Sequence, residues 1–448
     1  MAGEGSISPY FRTESLKNEL GIDIDNSQYF DEILKWLSNP PLLTVVRVNT
    51  NQITMENAQK KLKNYLNLEY PRKFTIQQHP LLNDILVIPS LKIDVQAPKN
   101  EPEVIVDIHC GAAILRGAHI FAPGVLAAPA DLKAGTTVSV YVDLKGKCRK
   151  GLITKFDELK TFIGYGTAVL SRKHIFTQQN VKGIAVKMTE PVCLCPSLDS
   201  SLLKYFFLQN LPSVICGHVL NPEANHSVLD MCAAPGGKTI HLATIMKNQG
   251  RIIALDKTQS KIDRIISNAE NCGVTNIKTH VFDSTKAVDS NTTKAVDFCD
   301  PPFSPETFDR ILLDAPCSGL GQRPQFRIDM SISQLKSYSS LQRKLFANAA
   351  QLLKVGGVLV YSTCTITIAE NERLVEWALK TFPCLQLIPQ VPYLGKCGLD
   401  GTSLTEKQLQ LLQRFDFRCE EKVGECQQTF LQQTVGFFIA KFVKLKSS

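Results

Sequence analysis

Ser227-Val-Leu-Asp-Met-Cys-Ala-Ala-Pro-Gly-Gly-Lys238 is the stretch from which the rest of this 448-residue chain can be read. Its first part is a short apolar run that stops abruptly at small residues and glycines, the pattern of a buried strand. Thr239 to Met246 follows at helical spacing, with Leu242, Ile245 and Met246 facing inward. Strand, tight glycine turn and helix form the opening unit of a doubly wound α/β sheet, whose ligands bind in a crevice at the carboxyl ends of the strands. The turn is neither the Gly-x-Gly-x-x-Gly of dinucleotide binders nor a Walker loop. Gly236 and Gly237 carry no Cβ, so the backbone there can approach a small ligand closely.

Four more strands carry polar ends. Arg251-Ile-Ile-Ala-Leu-Asp256 ends in a carboxylate about twenty residues on, where such folds place an acceptor for ribose hydroxyls. Thr279-His-Val-Phe-Asp283 is a third strand. Phe308-Asp-Arg-Ile-Leu-Leu-Asp314 is a fourth, continuing into Ala315-Pro-Cys-Ser-Gly319. Gly357-Val-Leu-Val-Tyr361 is a fifth, continuing into Ser362-Thr-Cys-Thr365. One terminal Asp is an ordinary turn residue; reactive groups at the same end of successive strands make a site.

The glycine turn, Asp314-Ala-Pro-Cys-Ser-Gly319 and Ser362-Thr-Cys-Thr365, in that order, resemble the Nop/Sun family of RNA cytosine-5 methyltransferases over roughly the last half of the chain. The resemblance implies a Rossmann-like core that uses S-adenosyl-L-methionine. Its methionine end would lie on Cys232, Ala233, Ala234, Pro235, Gly236, Gly237 and Lys238, its ribose on Asp256 and its adenine amino group on Asp283, with Asp314 beside them. It implies Cys364 as the nucleophile, Cys317 as a second thiol that assists release, Asp314 at the N3/N4 edge of the base, and Lys238 supporting that carboxylate or the base. No metal is implied. Two departures touch the substrate loops: Arg323-Pro324 is followed by no Trp, and Val435-Gly436 stands where the family often has Asp-Gly.

The chemistry suits these residue types. Carbon 5 of cytosine is a poor nucleophile until a thiolate adds to carbon 6, and cysteine is the side chain that presents a potent nucleophile near neutral pH. Two other readings share the motifs: a binding protein on a vestigial methyltransferase core, and a methyltransferase acting on DNA or protein. The first is disfavoured because Lys238, Asp314, Cys317 and Cys364 are all present. A DNA enzyme would attack with the Pro-Cys thiol and would have no use for the Thr-Cys one.

The chain is long enough for two or three domains with sizeable cores. Composition is that of a globular protein, 44% hydrophobic and 21% charged. No apolar run reaches the roughly eighteen residues of a membrane span, and Met1 to Tyr10 has no apolar signal region, so a cytoplasmic protein without membrane contact is expected. Fourteen scattered cysteines then read as reduced thiols. Cys193-Leu-Cys195 is half a metal-site spacing with no second pair to complete it.

Three domains are expected: 1–102, a small α/β subdomain; 103–192, a β-barrel; and 193–448, the methyltransferase core. Gln28 to Leu37 and Glu56 to Tyr65 have helical periods, and Thr44–Thr50 and Ile85–Ile88 those of strands. From Glu103 to Val192 short β-rich runs alternate with Gly and Pro turns and almost no helical period. Leu115-Arg-Gly-Ala-His-Ile-Phe-Ala-Pro-Gly-Val-Leu126 resembles the signature of the PUA domain, an RNA-binding pseudobarrel in which Gly124 and Gly135 would supply turns with positive φ. The net charge of +8 is concentrated here, with twelve Lys and Arg against five Asp and Glu between Gly111 and Glu190. Lys145, Lys147, Arg149 and Lys150 cluster on an expected loop, placed to meet phosphates. With the PUA resemblance, a monomeric enzyme acting on tRNA near the acceptor end is expected, with messenger RNA a further candidate. Later, 285–305 reads as a surface loop, Glu370–Thr381 and Gln408–Phe415 as helices, and Gly436–Val443 as a closing strand.

Overall fold

The computed structural model describes residues 27–96, 101–177, 183–289, 300–328, 330–417 and 434–447. Its first helix, Ser27–Ser38, turns Ile33, Leu34 and Leu37 to a face that packs on Leu320, Leu335 and Ile366 of the catalytic half. The N-terminal sheet uses β1 (Leu43–Val48), β2 (Gln77–Gln78) and β3 (Ile85–Pro89), and the chain leaves it through β4 (Leu91–Lys92). Between β1 and β2, Thr54 accepts a hydrogen bond from the Asn57 amide and starts the helix Met55–Glu69, whose Ala58, Leu62 and Leu66 are buried.

The second unit is a six-stranded sheet of β5 (Glu103–Val106), β6 (Ile120–Phe121), β7 (Val125–Ala127), β8 (Thr137–Asp143), β9 (Lys160–Ala168) and β10 (Ile184–Pro191). Their order is β6-β10-β9-β8-β5-β7, with β5 and β8 parallel. Two helices interrupt it, Ile108–Ile114 and Arg172–Thr177, where the sequence shows almost no helical period. The cause at the first is local: Asp107 accepts the Cys110 amide at 2.7 Å and caps a helix where alternation alone extends the strand to Ile108. Gly135 has the expected positive φ of 87°, but Gly124 does not; there a Cβ would lie 2.8 Å from the Cys110 side chain, so close approach accounts for the glycine.

After the barrel the chain returns to the first unit. β11 (Cys193–Leu194) pairs with β4, and β12 (Phe206–Leu208) with β1, completing the order β12-β1-β3-β2. A boundary at residue 193 therefore cuts through the N-terminal sheet.

The core comprises β13 (Ser227–Asp230), β14 (Arg251–Asp256), β15 (Ile277–Val281), β16 (Phe308–Asp314), β17 (Leu353–Thr363), β18 (Leu385–Leu387), β19 (Gln413–Phe415) and β20 (Phe437–Lys444). The order β15-β14-β13-β16-β17-β20-β18, parallel through β17 and antiparallel at β20, is a Rossmann-like sheet. The sequence starts in the middle at β13, runs outward to β15, then crosses to β16. The reversal puts the ligand crevice at the carboxyl ends of β13 and its neighbours.

Three expectations are corrected here. The helix expected over 408–415 is a short one, Glu406–Gln410, followed by strand β19; buried Arg414 bonds both oxygens of Glu372 from that strand. The helix read from Glu370 starts at Glu372. Within the stretch read as a surface loop, Ala287 and Phe303 are buried at its two ends, while residues 290–299 lie outside the described residues.

Candidate active site

β13 delivers Asp230 to the edge of the crevice, and the turn after it adopts φ +100° at Gly236 before the helix Gly237–Ile245 begins. That conformation is one that side chains rarely take. A Cβ on Gly237 would stand 3.0 Å from the Phe207 ring on β12, so the turn is also pressed against the N-terminal sheet. Between them lies a cavity of about 480 Å³, walled by Cys232, Ala233, Ala234, Pro235, Gly237 and Lys238 together with Asp230, Asp314 and Gln322.

Asp256 and Asp283 stand outside that wall, at the ends of the next two strands. Asp256 accepts the Ala234 amide at 3.2 Å and the Lys261 ammonium at 3.0 Å. Asp283 accepts the Thr285 amide and hydroxyl, and Lys257 lies 3.4 Å away. Those amide and hydroxyl bonds and Lys257 hold Asp283 below the usual carboxylate range against the opposing effect of burial. The buried Asp230 carboxyl, by contrast, is pushed up to about 7 by burial, and its Oδ1 has no partner among the described residues.

These residues fit S-adenosylmethionine. The cofactor carries an ammonium, two ribose hydroxyls and an adenine amino group, all donors, and the crevice offers carboxylates at three successive strand ends. Its own carboxylate suits the amides at the start of the helix Gly237–Ile245.

β16 and β17 run side by side with Asp314 opposite Ser362. The Asp314 carboxylate accepts Lys238 Nζ at 2.7 Å through one oxygen and Ser362 Oγ at 2.8 Å through the other. Both oxygens are thus held, and the carboxylate is aimed by its neighbours. Burial works against the Lys238 charge, but Asp314 outweighs it and holds the ammonium above its ordinary range. Just past these strand ends the Sγ atoms of Cys317 and Cys364 lie 3.2 Å apart. The Cys364 thiol is lowered by the hydrogen bond from Cys317, against burial, with Gln322 and Lys238 adding to the effect. Cys317 is raised well above its ordinary range by its hydrogen bond with Cys364, and burial pushes the same way. Each sulfur is within hydrogen-bond reach of the other, so one thiol can keep the proton that the other's thiolate accepts.

The expected phosphate contacts sit on the loop after β8, where Lys145, Lys147, Arg149 and Lys150 are exposed. Lys147 lies 3.6 Å from Glu158, and Lys150 reaches the Pro123 carbonyl at 3.4 Å. The loop abuts the segment that follows Cys317: Arg327 bonds the Leu144 carbonyl at 3.3 Å, and a Cβ on Gly146 would meet its guanidinium at 2.5 Å. A second cavity, about 550 Å³, opens between His109 and Arg116 of the barrel side and Ser318 to Arg327 of the catalytic side. The barrel and the segment that follows Cys317 share this groove.

Four groups escaped the sequence reading: Ser362, Gln322, Glu370 and Asn371. Ser362 lay inside a quoted motif, so its position at a strand end was the available signal. Arg323, in the segment without the Trp, stacks on Trp36 of the first helix at 4.1 Å. Asp84 on the N-terminal unit was also missed; its two oxygens lie 2.9 Å from Nε2 of His218 and of His241, the latter on the helix that begins at the glycine turn. Buried Arg47 stands beside this cluster.

A Rossmann-like sheet whose glycine turn and strand-end carboxylates suit S-adenosylmethionine defines a methyltransferase that uses this cofactor. Comparison with known proteins gives the family. The 16S rRNA methyltransferase RsmB/F family matches residues 217–443, and the PUA domain matches 102–192. A human protein named tRNA (cytosine(72)-C(5))-methyltransferase NSUN6 is 48% identical over 99% of this chain and 97% of its own. A Pyrococcus horikoshii protein named tRNA (cytosine(72)-C(5))-methyltransferase is 31% identical over 93% of each chain. The crystal structure of NSun6 from Pyrococcus horikoshii with SFG, an analogue of S-adenosylmethionine, covers 98% of this chain and 97% of that one at 28% identity and a TM-score of 0.74. The chain belongs to the Nop/Sun family of S-adenosylmethionine-dependent RNA cytosine-5 methyltransferases and carries a PUA domain. Among the described residues no helix is long and apolar enough to cross a membrane.

Proposed function

We propose that this chain forms 5-methylcytosine at position 72 of tRNA, at the end of the acceptor stem, with Cys364 as nucleophile. The observation that carries the chemistry is the thiol pair 3.2 Å apart next to the Lys238–Asp314 pair. The substrate rests on the near full-length likeness to the two relatives named for that cytosine. Messenger RNA with the same local structure is a second substrate class, and the enzyme acts as a cytoplasmic monomer.

In this reading the cytosine leaves its stack and enters beside Asp314. The Cys364 thiolate adds to C6, forming a C–S bond and pushing its electron pair through the ring to C5. Asp314, oriented by Lys238 and Ser362, accepts a hydrogen bond from the base's N4 amino group and holds the N3/N4 edge in place, while the Lys238 ammonium supplies the nearby positive charge. S-Adenosylmethionine supplies a sulfonium methyl group. C5 would take that methyl and then lose its proton to solvent water; the electron pair of the broken C5–H bond re-forms the C5–C6 double bond and breaks the C6–S bond, restoring the Cys364 thiolate, with Cys317 as the partner of the leaving sulfur. Cys232 to Gly237, Asp256 and Asp283 hold the cofactor. Lys145, Lys147, Arg149 and Lys150 hold phosphates on the barrel side, in a division of the chain into an N-terminal subdomain, a PUA unit at 103–192 and the methyltransferase core. Bisulfite sequencing of tRNA incubated with protein and cofactor tests the reading. A single protected cytosine at position 72 is expected, and protection elsewhere or nowhere overturns it.

A further inference from the structure

Glu370 lies between the two cysteine loops, fully buried and outside the cofactor crevice. Its Oε1 accepts the Ser318 hydroxyl at 2.6 Å and the Thr367 hydroxyl at 2.9 Å, while Oε2 accepts the Ser318 amide and Gln342 Nε2, each at 2.9 Å. Ser318 follows Cys317 directly; Thr367 belongs to the loop that carries Cys364. The Ser318 hydroxyl also meets Thr365 Oγ1 at 2.8 Å, and Gln342 bonds the Pro316 carbonyl on the other flank of Cys317. The next residue, Asn371, accepts the Thr363 hydroxyl at 2.6 Å and donates to the Thr365 carbonyl at 3.1 Å, gripping both neighbours of Cys364.

We propose that Glu370 is the positioning residue of the thiol pair: its carboxylate ties the Cys317 loop to the Cys364 loop and so sets how the two sulfurs are presented. Two oxygens taking four donors is the arrangement of a buried carboxylate whose charge is satisfied by hydrogen bonds alone. No cation pairs with it among the described residues. On the substrate side of the strand ends, Asp314 is aligned by Lys238 and Ser362, while Glu370 binds the amide and hydroxyl of the residue directly after Cys317. A negative charge beside Cys317 disfavours a second thiolate there, so the attacking role falls to Cys364. Glu370 touches neither sulfur and acts through Ser318, Thr365 and Thr367.

The inference rests on Cys364 being the nucleophile, and its test reads the thiols directly. The full chain is alkylated with iodoacetamide at pH 7 and the two cysteines are quantified by peptide mass spectrometry. In the native protein Cys364 reacts faster. Glu370→Gln keeps the shape and removes the charge; the ratio of the two rates should collapse towards one, and kcat on tRNA should fall on the order of 10²-fold, as for a misplaced reacting group. KM for tRNA and the affinity for cofactor should stay near native. Glu370→Asp, which keeps the charge, should preserve the ratio better than Glu370→Gln. If Glu370→Gln does not fold, Ser318→Ala removes one link and should narrow the ratio in the same direction. A folded Glu370→Gln with native ratio and native kcat overturns the proposal. So does a Glu370→Asp that loses as much selectivity as Glu370→Gln. Failure of the nucleophile assignment looks different, because Cys317 is then the faster thiol already in the native protein.

Discussion

Cys317 and Cys364 arrive from adjacent parallel strands, β16 and β17, and their sulfurs meet at 3.2 Å just beyond the strand ends. Both can reach one flipped base, yet their surroundings differ, so their removal should have opposite signatures. Cys364→Ala should abolish methyl transfer and leave no protein–RNA adduct, because no C–S bond forms. Cys317→Ala should attack, methylate and stall, accumulating a denaturation-resistant complex seen as a shifted gel band. The double variant should behave as Cys364→Ala. Trapping by Cys364→Ala instead would exchange the roles, and native turnover in both single variants would rule out the covalent route.

The cofactor carboxylates are separable from that chemistry. Removing the side chain of Asp256 or Asp283 deletes a charged acceptor worth about 1.5–3 kcal/mol, so cofactor affinity measured by calorimetry should fall roughly ten- to a hundred-fold. Each variant should also lose some folded stability, since Asp256 anchors the Ala234 amide and the Lys261 ammonium and Asp283 anchors the Thr285 amide and hydroxyl. Native affinity in a folded Asp256→Ala/Asp283→Ala double variant would remove these residues from the site.

Charge reversal tests the barrel loop. Lys147, Arg149 and Lys150 changed to Glu should weaken tRNA binding severely, flatten its salt dependence and leave cofactor affinity intact. tRNA lacking its terminal nucleotides should bind the native protein less well. A triple variant that binds tRNA as tightly and with the same salt slope would show that the loop's exposed charges face solvent only.

What could be read from sequence tracks how local each cause is. The parallel strands and their polar ends were legible because buried apolar runs and glycine turns are written in consecutive residues, and the thiols because each sits in one such run. Glu370 was misread as the start of a helix: an acidic residue ahead of an apolar period is the ordinary pattern for a first turn. Its real partners, Ser318, Gln342 and Thr367, come from three segments. β19 was misread for a related reason. Arg414 within a helical period looks exposed, and its burial in a strand rests largely on partners far away in sequence, Glu372 and the Ile366 carbonyl, with Asp416 beside it. The destination of the first helix, where Trp36 meets Arg323, has no local signal at all. The barrel's first helix did have one, a capping Asp107, overshadowed by the alternation before it.

The cluster of Asp84, His218 and His241 ties the N-terminal sheet to the helix that begins at the cofactor turn, and its protonation should set how the fold responds to acid. Burial, with Arg47 adding to it, lowers His241 from an ordinary 6.5 to about 3. Between those values the unfolded chain binds a proton that the folded chain refuses, so this residue makes stability fall as pH drops through that window. His79, lowered by burial to about 4, acts with the same sign. Asp230, raised by burial to about 7, acts oppositely, since the folded chain takes up its proton first. Asp84 is held below the ordinary carboxylate range by the two imidazoles against burial, so its contribution persists to lower pH than the histidine effect. Comparing native protein with His241→Gln cancels Asp230 and His79, which both chains share. Urea unfolding at pH 7 and pH 5 should then show the native protein losing on the order of 2 kcal/mol more than His241→Gln between the two pH values. The variant itself should be less stable at pH 7, having lost a bond to Asp84. If the two proteins lose stability in parallel from pH 7 to pH 5, His241 takes up a proton in the fold as readily as in the unfolded chain, and the cluster is not what makes this protein acid-sensitive.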